Sequence, residues 1–178
     1  SLYSFLYSVS LMKRLKIDYI LLLIITSSLL LRLLFSLWTN FQIDEVNCYR
    51  VAHQFYLTGI LPAFGQVIVY SKTNLPGGLM ALLGGVGLFI SNGTPTGAIL
   101  FVALLNWLAA LIIFIAYRKI FPDLKKHLMA IIIFFAPWTI IFTQLWNPSF
   151  LPLFSALFLF AIFWAHKNGC DLWQMFLM

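Results

Sequence analysis

The chain has little charge: charged residues make up 9% of its 178 positions and only five of them are acidic. A soluble domain of ordinary composition carries roughly a quarter charged residues, so this supply cannot build a water-facing surface. It has two cysteines, Cys48 and Cys170, far apart, which gives neither a metal-ligand spacing nor a disulfide framework. It has no nucleotide-binding glycine-rich loop, zinc-ligand pattern, Ser-His-Asp constellation or basic stripe with interleaved aromatics, so soluble-nucleotide and nucleic-acid chemistry find no support. Gly77-Gly78 and the Gly84 to Gly87 cluster follow no evident strand and read as turn and helix-packing glycines.

What is abundant is apolar and aromatic: 62% hydrophobic residues and 17% Phe, Trp and Tyr. Trp and Tyr suit the bilayer interface, where an amphipathic ring has one wet and one dry side. The predicted fold class is all-α, a polytopic transmembrane helical bundle with an extracytoplasmic loop carrying short amphipathic helices. Spans are expected at about Asp18 to Trp38, Ala98 to Tyr117, Leu128 to Leu145 and Phe150 to Ala165, lengths that cross about 30 Å of hydrocarbon with some help from tilt. Leu79 to Ile90, about a dozen residues with three glycines, is short for a span and reads as a re-entrant or interfacial piece.

The net charge of +6 is a guide to topology through its placement. Lys13, Arg14 and Lys16 precede the first apolar run, and Arg118, Lys119, Lys125 and Lys126 crowd one short connection, which places both on the cytoplasmic side of a plasma (inner) membrane. If Leu79 to Ile90 dips and returns, every basic cluster falls inside and the Trp146-Asn147-Pro148 turn falls outside, beside Asp44 and Glu45. The first eleven residues are apolar but precede the basic cluster, the reverse of a secretory signal, so 1-11 is read as a leader or a mis-assigned start. Residues 12-178 form a single transmembrane domain, and the apolar run from Asp171 to Met178 predicts a further helix, making this the N-terminal part of a larger protein.

Function concentrates in the outer stretch Thr39 to Pro76. Val46, Tyr49, Ala52 and Tyr56 recur at helical spacing, predicting a short surface helix that Thr58, Gly59 and Pro62 end. Asp44 and Glu45 at its start can act as a general base and a cation ligand, or can cap the helix and complement its dipole; capping and catalysis are compatible. Arg32, roughly two turns inside the first span, either snorkels or faces a cavity where it pairs with Asp44, Glu45 or a phosphate. Arg50 and His53 extend a polar patch toward substrate or meet lipid headgroups. Lys72 is the only base in the second half of the loop, a point charge for a phosphate or a solvated lysine. Asn147 offers an amide oxygen to a sugar hydroxyl or a metal if its turn faces outward.

In order and spacing these features resemble the C-type glycosyltransferase superfamily, polytopic enzymes that include the protein O-mannosyltransferases and the lipid A aminoarabinose transferases. The matching pieces are Leu-Leu-Leu-Arg32-Leu-Leu-Phe, Ile-Asp44-Glu45-Val-Asn-Cys-Tyr-Arg-Val-Ala-His, Gly59, Lys72-Thr-Asn-Leu-Pro76-Gly-Gly-Leu-Met and Phe-Phe-Ala-Pro137-Trp138. The resemblance covers Met12 to His166. It implies an enzyme that transfers a sugar from a polyprenyl-phosphate-linked donor at the outer face. Asp44 would act on the acceptor with Glu45 as companion, Lys72 would hold the donor phosphate, and Arg32, Arg50, His53 and Asn147 would complete the substrate site. Asn147 falls near a position where some members carry an acid, and with Glu45 it is where a divalent metal ion would be held. The family has more helices than this chain and a further outer loop, so the chain alone is expected to be inactive. The implied partners are the lipid-linked donor and membrane lipids. The alternative from another class is a non-enzymatic membrane subunit or transporter fragment, in which the acids cap a helix and Arg32 lines a path.

Overall fold

The computed structural model describes residues 18–38, 43–67, 73–141, 143–145 and 147–167. The elements are α1 (Tyr19–Trp38), α2 (Ile43–Thr58), β1 (Phe64–Val67), β2 (Asn74–Pro76), α3 (Leu79–Ile90), α4 (Pro95–Ile120), α5 (Lys126–Phe134), α6 (Pro137–Ile141), a 3-10 turn (Asn147–Phe150) and α7 (Leu151–Lys167). Among the described residues three segments are helical, long and apolar enough to cross a membrane: Tyr19–Trp38, Pro95–Ile120 and Pro148–Ala165.

α1 shows why lipid is the natural solvent. Its buried residues are Ser28, Arg32 and Ser36, four apart, while Leu22, Leu23, Leu30, Leu34 and Leu37 are exposed. In water such a helix would be inside out; in hydrocarbon the leucines meet acyl chains and the polar stripe meets protein. α4 is the central element, with 44% of its most apolar window buried against 17% and 22% for the other two spans. Side-chain pairings set the directions. Trp107 of α4 donates to the Ile25 carbonyl of α1, Asp18 meets Lys126 and His127 at the start of α5, and Arg32 meets Phe134 at its end. α1 and α5 are therefore parallel and α4 runs against them. The basic α4–α5 connection lies at the Asp18 end of the bundle, and α2, the α3–α4 turn and the 3-10 turn lie at the other.

The core has a cluster at each end. Cys48, Ala52, Met80, Leu88, Ala98, Ile99, Val102, Leu145 and Phe150 join α2, α3, α4 and the 3-10 turn. Ala110, Phe114, Met129, Ala130 and Phe134 join α4 to α5, with Leu21, Ile24 and Trp107 packed against them. Glycine permits the first cluster: a Cβ on Gly87 would stand 2.7 Å from Ala98 Cα, and one on Gly84 2.9 Å from Ala52 Cβ. At about 1.5 Å per residue the twelve residues of α3 reach about 18 Å, short of a full crossing.

Three expectations are corrected. Leu128 to Leu145 is not one continuous span: α5 stops at Phe134 and α6 starts at Pro137, because proline has no N–H to donate and excludes the helical conformation from the residue before it. Gly77-Gly78 does follow a strand, β2, which pairs antiparallel with β1, Phe64 opposite Pro76 and Val67 opposite Asn74 with an irregularity between. Gly77, with φ 86°, turns the chain out of that ribbon as its N–H bonds to the Ala63 carbonyl. The buried stripe of α2 runs through Glu45, Cys48 and Ala52, and Val46 is exposed. The predicted end of α2 is observed: the helix stops at Thr58, and Gly59 takes φ 68° while its N–H closes onto the Phe55 carbonyl.

Candidate functional site

Asp44 and Glu45 share the first turn of α2, where carboxylates oppose the positive end of the helix dipole. A helix turns about 100° per residue, so neighbours cannot face the same way, and burial follows: Asp44 is exposed while Glu45 is 6% exposed on the packed face. Asp44 makes no hydrogen bond or ion pair among the described residues and so does not act as the cap; Ile43 before it is already helical. Further along, Arg50 is exposed and His53 half-buried. The His53 ring lies between Tyr49, 5.3 Å away and nearly parallel, and Tyr56, 5.9 Å away. Tyr49 in turn directs its hydroxyl to the Gly93 carbonyl at 3.5 Å, tying α2 to the α3–α4 turn.

Arg32 neither snorkels nor pairs with Asp44 or Glu45. Its side chain is fully buried and serves the broken helix: Nη1 donates to the Phe134 carbonyl at 2.9 Å and to the Ser28 carbonyl at 3.1 Å, and Nη2 donates to Thr139 Oγ1 at 2.8 Å. Thr139 Oγ1 passes its own proton to the Ala136 carbonyl at 2.7 Å. The Phe134 carbonyl, left over where α5 stops, is thus satisfied from α1, and a cation stands at the negative end of α5. Irregular backbone at membrane depth is tolerable only when protein or water supplies such partners.

Asn147 opens the 3-10 turn. Asn106, buried in α4, holds that turn by donating to the Ser149 carbonyl at 2.9 Å and to its own helix at Val102. Leu145 and Phe150, either side of Asn147, share one core cluster with Cys48 and Ala52 of α2, so the turn and the carboxylate helix are brought to the same end. Lys72 lies outside the described residues. Among them no group of three or more His, Cys, Asp or Glu side chains could hold a metal ion.

At the opposite end, Asp18 accepts the Leu21 N–H at 3.1 Å, capping α1, and pairs with Lys126 and with His127 Nε2 at 3.0 Å. The Lys126 ammonium above all, then the Leu21 N–H and His127, hold its carboxyl well below the ordinary carboxylate range. Asp18, Asn106 and Thr139 stand in no motif that marks them in the sequence. The four-residue spacing of Ser28, Arg32 and Ser36 was the signal that α1 has a polar inner face.

No protein-family model, curated protein or solved structure matches the chain.

Proposed function

We propose that the chain forms a membrane-embedded part of a C-type glycosyltransferase, which transfers a sugar from a polyprenyl-phosphate-linked donor to an acceptor on the extracytoplasmic face. The observation that carries this reading is the carboxylate pair. It opens a helix that begins just past the first membrane-length segment, at the end of the bundle away from the basic connection. By the positive-inside rule the basic end is cytoplasmic and the acidic end outer.

In this reading Asp44, exposed and without a partner among the described residues, is the base that takes the acceptor hydroxyl proton as the bond to the anomeric carbon forms. Glu45 anchors the helix and sets the field beside it. Arg50, His53 and Lys72 supply positive charge and hydrogen bonds for the donor phosphate, whose charge must be stabilised as it leaves. Arg32 is a positioning residue: it fixes the α5–α6 break, from which the chain runs on to the turn bearing Asn147. A divalent ion, if bound, would supply further charge for the leaving phosphate.

Asp44→Asn, assayed in membranes with the full-length protein and a polyprenyl-phosphate-linked sugar, is expected to lower transfer about a hundredfold or more with unchanged protein level. Undiminished transfer removes Asp44 from the mechanism. The second reading, a non-enzymatic membrane subunit, is favoured by Arg32, whose bonds are made within the scaffold; absence of transfer by the wild-type full-length protein across lipid-linked donors would leave that reading standing.

A further inference from the structure

Two apolar grooves run along the half of α4 nearest the basic connection. One, of about 420 Å³, lies between α4 and α7 and is lined by Ala116, Ile120, Ala156 and Leu159. The other, of about 350 Å³, lies between α4 and α5 and is lined by Leu128, Met129, Ile132 and, at its polar end, Lys125. Both are of ligand size. Ile113 and Tyr117 line both, so these two residues, one helical turn apart, form a ridge with a groove on either flank. From Ile113 to Phe121 the helix rises roughly 12 Å, close to the depth of one leaflet of a bilayer about 30 Å thick in its hydrocarbon.

The polar end is charged and available. Arg118 is occupied, its Nη1 donating to the Pro122 carbonyl at 3.2 Å and the Leu124 carbonyl at 2.9 Å, which holds the connection over the groove mouth. Lys126 is paired with Asp18. Lys125 is exposed, lines the groove, and its ammonium makes no ion pair or hydrogen bond among the described residues. Tyr117, which lines both grooves, is exposed on the ridge.

We propose that the paired grooves bind one two-chain anionic phospholipid, which sits astride α4 with an acyl chain in each groove and its phosphate at Lys125. The two flanks explain the two chains, and the cation at the mouth explains the preference for negative charge. A second helix packed here would fill one flank and gain nothing from Lys125.

The test is native mass spectrometry of the chain in detergent, titrated with phosphatidylglycerol, with phosphatidylcholine of matched chains, with lysophosphatidylglycerol and with polyprenyl phosphate. Phosphatidylglycerol is expected to bind about fivefold or more tightly than phosphatidylcholine, and Lys125→Gln to erase that preference. Ile132→Trp and Leu159→Trp, at exposed positions that tolerate substitution, each fill one groove. Each is expected to weaken phosphatidylglycerol binding while leaving the single-chain lysolipid unaffected. Equal binding of the two diacyl lipids, a preference that survives Lys125→Gln, or single-chain lipids binding as tightly as phosphatidylglycerol would each overturn the proposal.

Discussion

A guanidinium inside a membrane helix needs acceptors for its donors, and Arg32 finds them at the Ser28 carbonyl of its own helix and at Phe134 and Thr139 a hundred residues away, its Nε being left buried without a partner. Arg32→Met keeps much of the bulk but strips the Phe134 carbonyl of its donor; Arg32→Lys retains one donor group where two diverging ones are used. The expected order of thermal stability in detergent is wild type, then Lys, then Met, with the last lower by about 1–3 kcal/mol; a Met variant as stable as wild type would remove Arg32 from the scaffold. The presence of Arg32 in an apolar run was plain in the sequence. Its purpose was not, because its acceptors exist only where α5 breaks, and an isolated carbonyl leaves no trace in residue types. Asp18 gives a second test. Its folded carboxyl loses its proton more readily than in the unfolded chain, so the stability it contributes is present above the ordinary carboxylate value and disappears as pH falls below that value toward the folded one. The stability difference between wild type and Asp18→Asn, read from unfolding midpoints, should therefore shrink as the pH is lowered below the ordinary carboxylate value.

At the scale of elements, α1, α4 and the start of α7 follow from apolar length alone, and the end of α2 follows from Thr58, Gly59 and Pro62. What length could not deliver was the division of the 128–145 stretch. Pro137 was visible, but proline also opens helices, and whether it starts one or interrupts one depends on neighbours far away in sequence. The β1–β2 ribbon was hidden for a similar reason: Phe64–Val67 is too short and too weakly alternating to announce a strand without its partner. The carboxylate pair and the turn bearing Asn147 were expected on one side, and the shared core cluster of their neighbours brings them to one end. Helix packing supplies another prediction. At Gly87 an added methyl meets backbone, Ala98 Cα and the Gly97 carbonyl, whereas at Gly84 it meets side chains, the Ala52 methyl closely and Leu145 at ordinary contact distance. Gly87→Ala should lower stability by about 1 kcal/mol or more despite alanine's better helix propensity, and Gly84→Ala by less; the reverse order in unfolding midpoints would show that α2, not α4, limits the approach of α3.

For the whole molecule, the segregation of charge gives a directional structure, with Asp18, Arg118, Lys125 and Lys126 at one end and Asp44 and Glu45 at the other. In a background with Cys48 and Cys170 replaced by alanine, single cysteines at 44 and 147 should react with an impermeant reagent from one side of sealed vesicles and a cysteine at 119 from the other. Labelling of 44 and 147 from opposite sides would separate the two halves of the proposed site. The break between α5 and α6 also bears on how the chain is made. When α1 enters the bilayer, the Phe134 carbonyl and Thr139 hydroxyl that Arg32 will use have not been synthesised, and an intramembrane arginine without its partners is costly. The final pairing of Arg32 is complete only once Phe134 and Thr139 have joined it. The first of the described helices is thus completed by residues made a hundred positions later.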